Sequence, residues 1–407
     1  MAVMVAAKPR RVLRRMTERE TVDGMRIAVV GAGVGGLTAA IALRARGLQV
    51  DVYDQASELT EIGAGVSLGG NGMRVLDALG LGAAVRGASA ALQRIEFHHW
   101  RSGSVFYEHP LGEWYEHRFG GPFLGIHRAD FHQVLLDAFD GQPQLGRRCV
   151  ALNESADHVS LVFADGGSAR ADVVIGADGL RSAVRSHVTT STEPVFSAMS
   201  CYRGLVPVDR VPGGDTFALT FFLGPDRHLV AYPVRGGSLI NFVAYVPDPS
   251  WTLESWSARS TAAEAAAAFD GWTPAVTTML GNAGEVGRWA LYDREPLRRW
   301  STGRVTLLGD AAHPMLPHAG QGSNQAVEDA AALAAYLSRD LPVAVALQKY
   351  EQVRKARTRK IQMGARSNAA CFQLPDGPAA EQRNARLAAL PDMVGWIHEY
   401  DVHAALD

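Results

Sequence analysis

Short apolar runs alternate with glycine-rich turns and alanine-rich stretches along the chain, and this pattern predicts the elements. Arg26 to Gly31, RIAVVG, reads as a short buried strand that runs into the turn GAGVGG at 31–36. LTAAIALRARG follows as a helix ending at Gly47, a residue suited to a helix C-terminus, and LQVDVYD is a second strand ending at Asp54. Far downstream, residues 304–328, RVTLLGDAAHPMLPHAGQGSNQAVE, repeat the theme. Val305, Leu307 and Leu308 make an apolar strand that Gly309 and Asp310 end, and a loop of Pro, His and Gly follows. The next run is helical, because Ala326, Ala330, Leu333 and Leu337 recur on one helical face.

Between these anchors the periodicity changes. Residues 61–80 read as a glycine-rich loop and a helix, 92–118 as alternating strand patterns, and 127–139 as a helix with Arg128 near its start. RRCVALNES, HVSLVFADG and SARADVVIGADG are strands joined by turns, the last ending at Asp178 and Gly179. From 197 to 246, runs of alternating apolar and polar residues separated by turn signals such as Pro212-Gly213-Gly214 predict an antiparallel sheet. Helices are expected at about 254–281 and from Val343 to Phe372, and the tail from Pro375 is partly helical. The prediction is an α/β protein whose nucleotide domain is assembled from separated pieces around an inserted sheet. The pieces are 25–92, 126–195 and 293–340. The inserted sheet takes 93–125 and 196–292, a helical region takes 341–407, and residues 1–24 form an extension outside the fold.

Composition narrows the classes. The 407 residues suffice for about two to three domains, and a hydrophobic content of 47 % supplies a sizeable core. A net charge of −2 gives no bulk attraction to nucleic acid or anionic lipid, so neither partner is expected. Cys149, Cys201 and Cys371 form no CxxC, so no disulfide framework or metal site is expected and a reducing cytoplasm fits. No apolar run reaches transmembrane length, and the basic start MAVMVAAKPRRVLRRM lacks the apolar stretch of a secretory signal. The basic middle of the 343–372 helix reads as a solvated face rather than a nucleic-acid patch.

Chemistry enters through the glycines. Gly31, Gly33 and Gly36 stand in GxGxxG register between a strand and a helix, and a second strand ends in an acid, Asp54. That is the dinucleotide-binding βαβ pattern, in which the backbone approaches a pyrophosphate and the acid meets a ribose. The strand, glycine turn and helix start around Gly309–Gly322 form a second place where free N–H groups favour an anion, and Asp310 can accept hydrogen bonds from a polyol.

Three motifs in order, GAGVGG (31–36), GADGLRS (176–182) and GDAAHPMLPHAGQG (309–322), closely resemble those of the single-component (group A) FAD-dependent aromatic monooxygenases. The chain is most similar to their salicylate, 3-hydroxybenzoate and 6-hydroxynicotinate hydroxylases, with further matches at DREPLRRW (293–300), FQLPDGP (372–378) and WIHEYD (396–401). The resemblance implies a p-hydroxybenzoate hydroxylase-like fold, with a Rossmann-like FAD-binding domain, an inserted mixed or antiparallel substrate sheet and long C-terminal helices. It implies FAD as cofactor, NADH or NADPH as transient electron donor, and O2 as co-substrate. It puts Gly31, Gly33 and Gly36 at the pyrophosphate, Asp54 at the adenosine ribose, Arg128 and Gly65 near the cofactor, and Val150 at the adenine. Asp178 and Gly179 would serve FAD and NAD(P)H, Gly309 and Asp310 the ribityl chain, and Gly320 to Gly322 the flavin pyrimidine edge. Gly70 departs from the family, where proline is frequent. A homodimer is common among relatives, though the sequence leaves the assembly open.

The implied reaction hydroxylates a phenolic or N-heteroaromatic substrate, such as an aromatic acid, through a flavin C4a-hydroperoxide. In RHLVAYPV, strand geometry puts His228, Val230 and Tyr232 on one face. The resemblance makes His228 a proton acceptor or relay, Tyr232 a substrate orienter and His318 a polar pocket wall. His313 reads as structural, whereas Tyr202 and Arg203 suit either the pocket or the sheet. The alternatives are an epoxidase or tailoring oxygenase acting on a larger natural product, a nicotinamide-only dehydrogenase and a non-catalytic flavin-binding sensor.

Overall fold

The computed structural model describes residues 24–59, 65–190, 193–211, 217–249, 251 and 257–406. The N-terminal extension up to residue 23, the start of the glycine-rich loop (61–64) and the Pro212-Gly213-Gly214 turn lie outside the described residues.

Four parallel strands form one sheet, in spatial order Val305–Leu307, Val173–Gly176, Arg26–Val30 and Gln49–Tyr53. They are buried almost throughout, as a parallel sheet covered on both faces requires. Three stretches far apart in sequence, each ending in a glycine motif, thus meet side by side. Their C-terminal ends share one edge, where open α/β sheets bind ligands. Gly31 sits at φ +109 against the Ala177 carbonyl, and a Cβ at Gly36 would collide with the Gly31 carbonyl. Neither position admits a side chain. Helix Val34–Arg44 packs on helix Gly322–Leu337, whose Ala326, Ala330, Leu333 and Leu337 are all buried.

The second sheet has eight strands, in order Ser257–Ser260, Val286–Asp293, Val195–Pro207, Leu239–Pro247, Arg227–Val234, Ala218–Gly224, Arg94–His99 and Val105–Pro110. All pairs are antiparallel except Ala218–Gly224 with Arg94–His99. One face, carrying Tyr202, Leu229 and Phe242, is sealed by helices Ala262–Ala267 and Pro274–Gly281. The other turns Cys201, Val243 and Tyr245 towards Leu316 and Ala365, next to the loop after Asp310.

The structure corrects several expectations. Residues within 92–118 are not all strand: Gly112–Phe119 is a helix, because Leu111, Tyr115 and Phe119 recur four apart and are all buried. The segment expected to be helical at 254–281 contains strand Ser257–Ser260, which pairs with Val286–Asp293. Gly70, where the resemblance leads one to expect proline, opens helix Gly70–Ala78 and donates its N–H to Tyr115 Oη at 3.0 Å. A proline there would lose that bond, and any Cβ would press on the Phe119 carbonyl at 2.6 Å.

The basic helix Val343–Phe372 is not a solvated face where it matters most, since Arg354 and Arg357 are buried. Arg354 donates to Glu328 at 2.5 Å and to Asp329 at 2.7 Å. Arg357 donates twice to Glu328, at 2.8 and 2.9 Å, and to the Trp396 and Ile397 carbonyls. Glu328 also accepts from Asn71 at 2.6 Å, and Asp329 from the Gly309 N–H at 3.0 Å and His313 at 2.5 Å. His313 is therefore a structural residue, as expected. Burial alone would raise the Asp329 carboxyl, but His313 and Arg354 hold it down at about 2. Removing one member of such a buried set strands a charge, at a cost of about 3–5 kcal/mol. Arg357→Met should therefore lower the urea midpoint by a matching amount and expose the segment around Trp396 to proteolysis. An unchanged midpoint would show that the cluster is not what joins these elements.

Candidate active site

The shared edge of the parallel sheet collects most of the residues expected to hold a cofactor. Gly33 caps helix Val34–Arg44, and a Cβ there would meet nothing within 4 Å, so this side of the turn is open. Gly179 and Gly322 are equally open. Asp54 accepts from the Ala32 N–H at 2.7 Å and the Ala56 N–H at 2.8 Å, which holds its carboxylate beside the glycine turn. Val150 lies at a register shift in the ladder of strand Cys149–Glu154, and its side chain is exposed. Gly65 faces His127 across paired strands, immediately before Arg128 opens its helix. The exposed Asp310 carboxylate accepts no hydrogen bond among the described residues.

Two expected residues are turned differently. The Asp178 carboxylate accepts from Ser182 at 2.5 Å and from the Ala183 and Val184 N–H groups, so it caps the next helix. Gly320 already donates its N–H to the Pro317 carbonyl at 3.1 Å, so the free N–H groups begin beyond it, at the first turn of helix Gly322–Leu337. Sequence reasoning missed Arg185, which is fully buried. It donates to the carbonyls of Leu180 (2.8 Å), Asp310 (2.6 Å) and Ala311 (2.6 Å), tying the two glycine–aspartate turns together. A cavity of about 640 Å³ adjoins these turns, lined in part by Leu180, Arg181, Ser182, Thr189, Tyr292 and Arg294.

Across from this edge lies the open face of the large sheet, and strand register fixes what it displays. His228 stands opposite Tyr245, which stands opposite Cys201. One step along, Val230, Val243 and Arg203 form a row, and beyond it Tyr232, Asn241 and Leu205. Arg203 therefore faces this side and Tyr202 the other. His228 is fully buried and stacks on Tyr245 at 4.1 Å. Its Nε2 lies 3.3 Å from His318 Nδ1, and its Nδ1 lies 3.2 Å from Gln373. The two expected histidines are thus in contact, whereas Tyr232, four residues along the strand, is about 13 Å away backbone to backbone. Arg203 is partly buried, and its guanidinium donates to Cys201 Sγ (3.4 Å), lies over the Trp289 ring (5.6 Å) and is near enough to His318, Tyr232 and Tyr245 to interact with them electrostatically.

Residues 24–365 match the family described as FAD binding domain. The chain belongs to the FAD-binding-domain family of flavoprotein monooxygenases. This monooxygenase is 41 % identical over 381 residues to a 3-amino-4-hydroxybenzoate 2-monooxygenase of Streptomyces platensis, covering 92 % of this chain and 96 % of the relative. It is 37 % identical over 350 residues to a 6-hydroxynicotinate 3-monooxygenase of Bordetella bronchiseptica, covering 84 % of this chain and 91 % of the relative. The solved structure of Klebsiella pneumoniae HpxO complexed with FAD and uric acid superposes with a TM-score of 0.83 at 30 % identity, covering 95 % of this chain and 97 % of that one. The enzyme is an FAD-dependent monooxygenase of the aromatic-hydroxylase type. The open glycine turn, the unbonded Asp310 carboxylate and the free first turn at Gly322 fit that cofactor. No described helix of the monooxygenase is long and apolar enough to cross a membrane.

Burial depresses the histidines of this region. His318 is pushed down to about 3 by burial and then by Arg203, and His228 is lowered well below its ordinary value by burial and then by His318. His398, against Tyr115, falls to about 4 through burial and Arg357. In the unfolded chain each takes its proton near pH 6.5, so between these limits the unfolded state binds more protons. Stability is therefore pH-independent from these groups above about pH 6.5 and falls as pH drops below it. Denaturant midpoints of the monooxygenase should decline from about pH 6.5 to 4.5, with up to about 1.4 kcal/mol per pH unit from each histidine. His398→Asn should remove one such share of the slope, and a flat profile would contradict the burial of neutral imidazoles.

Proposed function

We propose that this monooxygenase hydroxylates an aromatic or N-heteroaromatic acid that already carries a ring hydroxyl, of the kind represented by 3-amino-4-hydroxybenzoate. The observation that carries the reading is Arg203, a cation on a sheet face of otherwise uncharged side chains, with no carboxylate paired to it among the described residues. Taking a charge out of water is costly unless it is paired. A substrate carboxylate supplies that pair, and a charge-assisted bond is stronger than a neutral one.

The remaining residues take roles around this anchor. Bound FAD, reduced by NADH or NADPH, supplies the oxygen-activating chemistry. Gly31, Gly33 and Gly36 would hold its pyrophosphate, Asp54 and Val150 its adenosine end, Arg128 and Gly65 its flanks, and Gly309, Asp310 and Gly322 its ribityl and flavin end. Asp178 and Gly179 act here by shaping the turn, and NAD(P)H would dock in the adjoining cavity, where arginines and hydroxyls meet. Residues 25–92, 126–195 and 293–340 serve as the cofactor part, and 93–125 and 196–292 as the substrate part. Val230, Val243 and Tyr245 keep water from the ring, which strengthens every polar contact made there. His318 is the polar wall beside the ring. Because both nitrogens of His228 are engaged, it acts through His318, fixing that ring's tautomer and passing a proton along the pair. Three free cysteines suit a reducing compartment, so we assign the enzyme to the cytoplasm.

The test is NADH or NADPH consumption in air by the FAD-loaded enzyme with a panel of hydroxybenzoates and hydroxypyridine carboxylates, with hydrogen peroxide scored in parallel. An aromatic acid should accelerate consumption without matching peroxide. Arg203→Met should weaken binding of that acid by about 2–4 kcal/mol, roughly 30- to 1000-fold, while leaving FAD in place. Acceleration always matched by peroxide, or an Arg203→Met variant that binds the acid normally, would overturn the reading.

A further inference from the structure

Asn241 lies on strand Leu239–Pro247, fully buried, directly opposite Tyr232 on one neighbouring strand and Leu205 on the other. Its Oδ1 accepts the Gly65 N–H at 2.6 Å. This bond fixes the amide's orientation, since a half-turn would point an NH2 at an N–H donor. Nδ2 is the amide's other end, 2.8 Å from where a Cβ on Gly65 would stand, and it has no hydrogen-bond partner among the described residues. Buried amide donors are nearly always satisfied, and one left unpaired costs about 1–3 kcal/mol. The Tyr232 hydroxyl beside it likewise makes no hydrogen bond among the described residues, and the Tyr232 ring and the Asn241 amide lie together against Gly65. Two orphan donors thus share one end of the face that has Arg203 in its middle row.

We propose that Asn241 Nδ2 and the Tyr232 hydroxyl donate to one ligand oxygen, the existing ring hydroxyl of the aromatic acid, so that Asn241 selects substrates bearing that group. The inference rests on the reading of Arg203 as the carboxylate anchor and extends it to the far side of the ring. A site built to hydrogen-bond a hydroxyl rejects the analogue lacking it, because its buried donors are then left unpaired. Nδ2 is a pure donor, so the selected group must present an acceptor.

Asn241→Asp isolates the donor: the variant keeps an oxygen for the Gly65 N–H and replaces the free NH2 with a second oxygen. Dissociation constants would be measured at about pH 8, from the change in flavin absorbance of the holoenzyme, for two matched pairs. These are 3-amino-4-hydroxybenzoate with 3-aminobenzoate, and 6-hydroxynicotinate with nicotinate. The wild type should prefer the hydroxylated member of at least one pair by about tenfold or more, and Asn241→Asp should bring the ratio to within about twofold at unchanged FAD affinity. Tyr232→Phe should lower the same ratio, which keeps the test open if the aspartate variant fails to fold. An undiminished ratio in both variants would overturn the proposal. So would a changed flavin spectrum or FAD affinity with the ratio intact, because the orphan donor would then serve the flavin. A wild type that binds all four compounds alike, or none, also overturns it. Failure of the Arg203 reading is recognised separately, by normal acid binding in Arg203→Met.

Discussion

Two carboxylates removed from water, Glu328 and Asp329, set the constraint on which the rest of the structure depends. Neither could remain ionised and buried without Arg354 and Arg357, and the guanidinium forks match them with several short bonds each. The spare lone pairs reach outward to Asn71, to the Gly309 N–H and to His313. The turn that ends the strand Val305–Leu307, the helix start at Gly70 and the long helix Val343–Phe372 are therefore referenced to one charged centre. Arg74 continues the linkage, donating to the carbonyls of His398 and Tyr400. The C-terminal segment is held against the loop on which the cofactor edge relies.

The same economy governs the two halves of the site. On the side proposed for the cofactor, backbone groups and the carboxylates of Asp54 and Asp310 line the sheet edge, so glycine placement decides the geometry. On the side proposed for the substrate, strand register assigns each polar group of the sheet face a position. Arg203 occupies the middle row, His228 with Tyr245 one end, and Tyr232 with Asn241 the other. A ring held between rows would be surrounded by Val230 and Val243, where water is excluded and each hydrogen bond counts for more than in solvent.

Much of this was legible in the sequence because it is local. The GxGxxG turn with its strand, helix and acid spans under thirty residues, and period-2 alternation correctly put His228 and Tyr232 on one face. What was illegible depended on partners distant in the chain. Nothing in CYRG distinguishes Tyr202 from Arg203 until pairing with Leu239–Pro247 fixes the face. Asn241 looked like an ordinary strand residue until the Gly65 contact oriented its amide. The basic helix read as solvated because its acids, Glu328 and Asp329, lie on another helix, and Arg185 drew no notice because its acceptors are backbone carbonyls. The helix Gly112–Phe119 did leave a signal, the four-residue recurrence of Leu111, Tyr115 and Phe119, but surrounding polar residues resembled strand alternation.

The most direct measurement is a crystal structure of the FAD-loaded enzyme with 3-amino-4-hydroxybenzoate bound. The substrate carboxylate should lie about 3 Å from the Arg203 guanidinium, with the ring over Val230 and the hydroxyl turned towards Tyr232 and Asn241. A carboxylate directed away from Arg203, or a ring bound off this sheet face, would contradict the assignment of the substrate site.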